Sequence, residues 1–180
     1  EHVRLLEENN FTDIVVSLKS SGLAETIEAN RIFSGMRDYP LHIGLTEAGY
    51  GLTCVVRSSV AIGSLLLSGI GDTIRVSMTG DPGDEVIAGK KILEAVGART
   101  PAINIISCPG CGRTDPSLDQ LELARDIERE LTLRFEKQLS ESGRSITVAV
   151  MGCEVNGPGE AAHADAGVAG GAGGIMLLFS

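Results

Sequence analysis

The sequence predicts an α/β protein in two parts, and three observations predict it. The 180 residues are 43% hydrophobic but only 3% aromatic, with 23 glycines and no Trp. That mix suits strands and helices of Val, Ile, Leu and Ala joined by tight turns, rather than an aromatic-rich sandwich. Strand, polar loop and helix recur through the first half, where Lys19, Glu47 and Arg75 fall 28 residues apart. Past Gly97–Pro101 the rhythm changes, and two short apolar runs each end in a cysteine loop. Charged residues near the C-terminal strand ends of repeated βα units mark the active face of a (β/α)8 barrel, which takes about 250 residues. About three units fit into residues 1–100, so this part is either the later part of a TIM-type barrel or a small open sheet, and the barrel is the expected one. Residues 101–180 are expected to be a small α/β domain.

The elements follow in order. Val3, Leu5 and Leu6 make His2–Asn9 the tail of a helix, and Asp13–Leu18 is a β-branched strand ending at Lys19-Ser20-Ser21-Gly22. A weak helical pattern runs to Arg37, where Asp38-Tyr39-Pro40 stops it. Leu41–Leu45 is the next strand and leads into Thr46-Glu47-Ala48-Gly49. From Val55 to Leu67, the positions Val56, Ser59, Val60, Gly63, Leu66 and Leu67 fit one helical face, closed by Gly69 and Gly71. Thr73–Met78 is a third strand, and Glu85–Val96 a helix capped by Gly97. In the second part, Ala102–Ile106 and Ile146–Val150 read as strands. The helix between them, about Ser117–Leu139, carries Leu121, Ala124, Ile127, Leu131 and Phe135 on one stripe. Asp115-Pro116 offers it a start with proline at the first helical position, and Ser117 with Gln120 a capping box. The glycine-rich segment holding Gly167, Gly170, Gly171, Gly173 and Gly174 reads as a loop before a buried last strand, Ile175–Phe179.

Charge and composition exclude several classes. A formal charge of −9 argues against wrapping a nucleic-acid backbone, which needs a basic surface. No apolar run approaches the ~20 residues of a membrane helix, and the polar, acidic start is unlike a signal peptide. Four cysteines, three of them beside Gly and Pro, suit a reducing cytoplasm better than a secreted disulfide framework. Without a Met at position 1, and beginning in a helix-like segment, the chain is expected to be a piece of something longer.

The cysteine loops carry the chemistry. Cys108-Pro109-Gly110-Cys111 and Cys153–Glu160 each follow a strand, and a β-α-β unit with parallel strands brings both to one sheet edge. A lone C-x-x-C fits a redox pair, half a zinc site or two ligands of an iron–sulfur cluster. A redox pair leaves Cys153 unexplained. A zinc site wants four ligands, and only His163 is at hand to close one. Three thiolates suit three irons of a [4Fe–4S] cluster, with Glu160 on the fourth if Gly157-Pro158-Gly159-Glu160 forms a type II turn swinging it back. A carboxylate oxygen on iron exchanges more readily than a thiolate, which points to catalysis at the cluster. Arg113 would neutralise the cluster or hold an anionic substrate, or else pair with Glu122 or Asp119. Asn156 would hydrogen-bond near the cluster or simply favour the turn. Cys54 lacks ligand-like neighbours and reads as a free thiol.

Cys108-Pro-Gly-Cys-Gly-Arg113, Met151-Gly-Cys-Glu-Val-Asn-Gly-Pro-Gly-Glu160, Leu45-Thr-Glu-Ala-Gly49 and Gly71-Asp-Thr-Ile-Arg-Val-Ser77 together resemble the 4-hydroxy-3-methylbut-2-enyl diphosphate synthase family, iron–sulfur oxidoreductases of the methylerythritol phosphate route to isoprenoids. The resemblance spans essentially the whole chain. It implies a TIM barrel followed by a cluster domain, and reductive ring opening and dehydroxylation of 2-C-methyl-D-erythritol 2,4-cyclodiphosphate with two electrons. It implies Cys108, Cys111, Cys153 and Glu160 as ligands of a [4Fe–4S] cluster, and Lys19 and Arg75 on the diphosphate. Glu47 is implied as proton donor and Ser77 as a further binding residue, while Arg113 and Asn156 stand as substrate-binding candidates on their loop positions alone. Ferredoxin or flavodoxin is implied as electron donor, in a cytoplasmic or plastid homodimer whose cluster domain caps the partner's barrel. Two departures matter. The chain begins just before what matches the sixth barrel strand, so several arginines of the diphosphate site would lie outside it and the piece alone would lack full activity. The loop Tyr50-Gly51-Leu52-Thr53-Cys54 also differs from the family's usual residues. The alternative is a non-catalytic zinc or thiol-redox module.

Overall fold

A computed structural model of the chain describes residues 1–114, 116, 118–171 and, in backbone only, 176–179. The chain divides into two compact units, Glu1–Arg99 and Thr100–Ser180.

In the first unit, helix α1 (His2–Glu8) is followed by α2 (Leu23–Ser34), strand β1 (His42–Gly44), α3 (Gly51–Leu67), β2 (Thr73–Arg75) and α4 (Pro82–Ala95). β1 and β2 run parallel, with Ile43 opposite Ile74 and Gly44 opposite Arg75. The stretch expected as a strand over Asp13–Leu18 reaches only a single bridge, Val16 to Leu41. Two residues stop the ladder. Pro40, whose carbonyl accepts from the Val16 N–H at 2.9 Å, has no N–H to return. The Leu18 carbonyl, which would pair next, accepts instead from Asn30 Nδ2 at 2.8 Å. The third strand, expected to Met78, ends at Arg75. Beyond it the Met78 N–H is taken by Glu85 Oε1 at 2.7 Å, and the Ser77 carbonyl by the Cys54 thiol at 3.3 Å.

Side chains alternate across a strand, so β1 has two faces. Ile43 and Leu45 are fully buried and pack with Ile62 and Leu65 of α3 and Ile92 of α4. The face of α3 that meets this core is not the one its apolar pattern predicts. Cys54, Ser58, Ala61, Ile62, Gly63 and Leu65 are buried, while Val56, Val60 and Leu67 are at least half exposed. Small residues at 58, 61 and 63 let the helix lie close to its neighbours, and closeness decided the face over bulk. The helix also starts earlier than expected, at Gly51, so the Tyr50–Cys54 stretch is its first turn. Asp81, accepting from the Gly83 N–H, caps α4 ahead of Pro82.

The second unit holds a four-stranded sheet in the order β3-β4-β5-β6. β3 (Ile103–Ser107), β4 (Ile146–Met151) and β5 (Ala166–Gly170) are parallel, and β6 (Met176–Phe179) is antiparallel to β5. Helix α5 (Gln120–Ser142) makes the crossover from β3 to β4. It is capped by Asp119, whose side chain accepts from the Glu122 N–H, and ended by Gly143 at φ 65. This corrects the expected start, and the Asp115 and Ser117 parts of that expectation lie outside the described residues. Of the expected stripe, Leu121 and Phe135 are exposed and only Ala124, Ile127 and Leu131 are half-buried.

Residues 166–170, expected as loop, form a strand instead. Backbone pairing overrides the glycine content there. The Thr147 N–H donates to the Asp165 carboxylate at 2.7 Å, and the ladder then runs from Val148–Ala166 to Met151–Ala169. The expectations for Gly173, Gly174 and Ile175 fall outside the described residues. Among the described residues no helix is long and apolar enough to cross a membrane.

Candidate functional site

Parallel pairing of β3 and β4 sets Ser107 opposite Val150, so Cys108 and Cys153 leave the same edge of the sheet. The first loop turns at Pro109-Gly110, where Gly110 takes φ 75, the left-handed position that a type II turn demands of its third residue. The second loop departs from expectation. Gly157–Glu160 is one helical turn, not a type II turn, with Asn156 ahead of it. Its N–H groups point back along the chain: Gly157 N–H to the Cys153 carbonyl at 3.1 Å, and Glu160 N–H to the Asn156 carbonyl at 2.9 Å. Pro158 suits a first turn. Gly157 is required because a Cβ there would stand 2.9 Å from Met151 Cβ and 3.2 Å from Ala169 Cβ.

Both inner sulfurs are surrounded by donors. Burial pushes the Cys108 thiol up, yet hydrogen bonds from the Gln120 amide and from the Gly152 and Gly110 N–H groups hold it below its ordinary value, against a nearby Glu160 charge. For Cys153 the Asn156 N–H lowers the thiol most. Burial opposes it, and the Val155 and Gly157 N–H groups and the Arg113 charge lower it further. Donors that stabilise a thiolate are what a metal-ligating cysteine needs. Cys111 is exposed, its loop closed by its N–H on Thr114 Oγ1 at 3.0 Å. Among the described residues no three His, Cys, Asp or Glu side chains come close enough to enclose one metal ion. His163 is exposed. Arg113 forms no ion pair among the described residues, and Asp119 serves as helix cap instead. A cleft of about 330 Å³ lies beside Arg113, Thr114, Cys153 and Gly170.

In the first unit, Lys19, Glu47 and Ser77 stand past the C-terminal ends of three parallel stretches. Lys19 and Arg75 share the sheet face opposite the helices. The Lys19 stem lies over Gly44, where an added Cβ would stand 3.2 Å from Lys19 Cε, and Gly44 pairs with Arg75. Burial, then the Arg75 charge, lowers the Lys19 ammonium.

Sequence reasoning missed His42 on this face. Its Nδ1 lies 2.8 Å from Thr73 Oγ1, and its alternation with Gly44 was the available signal. Burial, then Lys19 and Arg75, lower its imidazole. Arg57 was missed too. It donates to the Ser21 carbonyl at 2.7 Å and the Glu47 carbonyl at 3.3 Å, tying two loops together. Glu47 itself holds a left-handed backbone at φ 53, and Cys54 is a buried free thiol.

The cationic face makes a testable statement. With its imidazole lowered, His42 favours the folded state fully above the unfolded value of about 6.5, and that contribution fades as pH falls toward the folded value. Lys19→Met should move the His42 titration, followed by NMR, upward. An unchanged curve would mean that the two groups do not share a field.

Two family models match the chain: the GcpE TIM-barrel domain over residues 1–90 and the GcpE protein C-terminal domain over residues 104–180. A 4-hydroxy-3-methylbut-2-en-1-yl diphosphate synthase (flavodoxin) of Clostridium acetobutylicum is 50% identical over 172 residues, 96% of this chain and 46% of that protein. The proteins of the same description from Geobacter sulfurreducens and Thermotoga petrophila are 49% identical over 98% of the chain and 52% over 94%, covering 47% and 46% of their own lengths. The chain thus spans about half the length of the curated relatives it matches.

Proposed function

The chain belongs to the GcpE family, and from that premise we propose a role in isoprenoid biosynthesis. The reaction is reductive ring opening and dehydroxylation of 2-C-methyl-D-erythritol 2,4-cyclodiphosphate to 4-hydroxy-3-methylbut-2-enyl diphosphate. The observation that carries this reading is the pair of cysteine loops on one sheet edge, each inner sulfur met by N–H donors. Cys108, Cys111 and Cys153 would hold three irons of a [4Fe–4S] cluster, and Glu160 the fourth. Each ligand then serves its own iron, so the donors need not crowd one ion. When bound, such a cluster supplies electrons singly.

The chain's own residues divide the remaining work. Residues 1–100 are read as the last three βα units of a TIM-type barrel, strands 6 to 8, and residues 101–180 as the cluster domain. Lys19 and Arg75, two cations on one face, bind the diphosphate, with Ser77 at the strand end beside them. Arg113 places positive charge by Cys153, and Asn156 holds that sulfur through its N–H. Glu47 gives a proton to the substrate, and its unusual backbone is of the kind that collects at functional sites. The reading includes a homodimer and flavodoxin, the donor named for the relatives, with ferredoxin as the other candidate. Because those relatives are about twice as long, the isolated chain is expected to turn over little substrate, and robust product formation with a reduced donor would overturn that.

Metal analysis tests the reading. Anaerobically reconstituted protein should carry about four irons and matching sulfide per chain, whereas a zinc or thiol-redox module would hold one zinc or none. Glu160→Ala should still assemble a cluster on three thiolates, but a labile one. A centre closed by His163 would be indifferent to that change.

A further inference from the structure

Gln120 sits between the two strand ends that present the cysteine loops. From the first position of α5, its Nε2 lies 2.7 Å from the Cys108 carbonyl oxygen, 3.1 Å from the Val150 carbonyl oxygen and 3.0 Å from Cys108 Sγ. These contacts fix which way the amide faces. Turned over, Oε1 would meet two carbonyl oxygens and a thiolate, none of which can donate. Oε1 is buried without a hydrogen-bond partner among the described residues. An unpaired buried oxygen is unfavourable, so the orientation is held by the Nε2 side alone.

Gly152 completes the arrangement. Its N–H donates to the same sulfur at 3.3 Å. A Cβ there would stand 2.5 Å from Gln120 Oε1 and 2.5 Å from Thr114 Oγ1. Glycine at 152 is therefore what leaves room for the amide.

We propose that Gln120 is a positioning residue for the metal centre: its amide locks the Cys108 loop to the end of β4 and, by donating to the Cys108 sulfur, sets the reduction potential of the cluster held there. This rests on the cluster reading given above. An N–H on a ligand sulfur favours the electron-richer, reduced cluster, so losing it makes the potential more negative. Losing a group that orients a ligand typically weakens metal retention about 10- to 100-fold.

The test uses the anaerobically reconstituted chain. Gln120→Met keeps a similar length but removes both donors. It should speed cluster loss to a chelator about 10- to 100-fold and shift the EPR-monitored midpoint potential negative. Gly152→Ala keeps the amide and pushes it aside, and should act alike. The double variant should be less than additive, because both changes act on the Gln120 amide, the added methyl also pressing on Thr114. If Gln120→Met does not fold, Gly152→Ala decides. A variant with lowered Tm but wild-type potential and EPR line shape would mean that Gln120 only packs, and would overturn the proposal. Wild-type protein that takes up no iron and sulfide would overturn the ligand reading and the proposal together. Wild-type protein with a full cluster, matched by both variants, would overturn the proposal alone.

Discussion

Cys153→Ala is expected to abolish cluster assembly, leaving iron and sulfide near background where the unaltered chain takes up about four of each. The size of the effect follows from position. Cys153 is 8% exposed, at the end of buried β4, and its sulfur is the meeting point of the Val155, Asn156 and Gly157 N–H groups. Removing it takes away one of the three thiolates of the proposed ligand set. It also takes the sulfur acceptor from the Val155 and Asn156 N–H groups, while the Gly157 N–H keeps the Cys153 carbonyl. Cys153→Ser restores an acceptor and should recover stability without recovering the cluster. Cys54→Ala should leave iron content untouched. Full iron uptake by Cys153→Ala would remove Cys153 from the ligand set and sink the assignment of this edge as the metal centre.

Gly44→Ala should destabilise the first unit by about 1–3 kcal/mol, the usual cost of overpacking. That corresponds to roughly 4–8 °C in Tm per kcal/mol for a unit near 100 residues. The position is buried. A methyl at Gly44 would meet the Arg75 carbonyl oxygen at less than ordinary contact distance, and that oxygen belongs to the paired strand and cannot swing away. The same methyl would press on the Lys19 stem. The variant should therefore also weaken binding of a diphosphate probe, as seen by the His42 NMR signal. An unchanged Tm would show that β1 and β2 do not pair as closely as described.

The second unit was largely legible because its signals are local. Apolar runs followed by C-x-x-C and by Cys153 predict two strand ends, and the length of chain between them predicts a crossover helix. Parallel pairing then has to bring the loops to one edge. Glycine misled in both directions at once. Gly157-Pro158-Gly159 looked like a turn requiring positive φ, yet it is a helical turn, because Gly157 is there for its lack of volume against Met151 and Ala169. Gly167 and Gly170 looked like loop, yet they lie in β5, where pairing to β4 settles the backbone. In α3 the apolar pattern pointed to Val56 and Val60, but the buried side is the small one.

The sequence alone determined the α/β alternation, the two-part division of its rhythm and the residue types at the cysteine loops, since these depend on period, turn chemistry and composition along the chain. Only the tertiary structure decided which helix face is buried, that His42 joins Lys19 and Arg75, and that Gln120 and Gly152 reach the Cys108 sulfur. Those outcomes depend on distances between residues far apart in sequence, such as Gly152 and Cys108, and on whether a Cβ has room. No local pattern encodes either one.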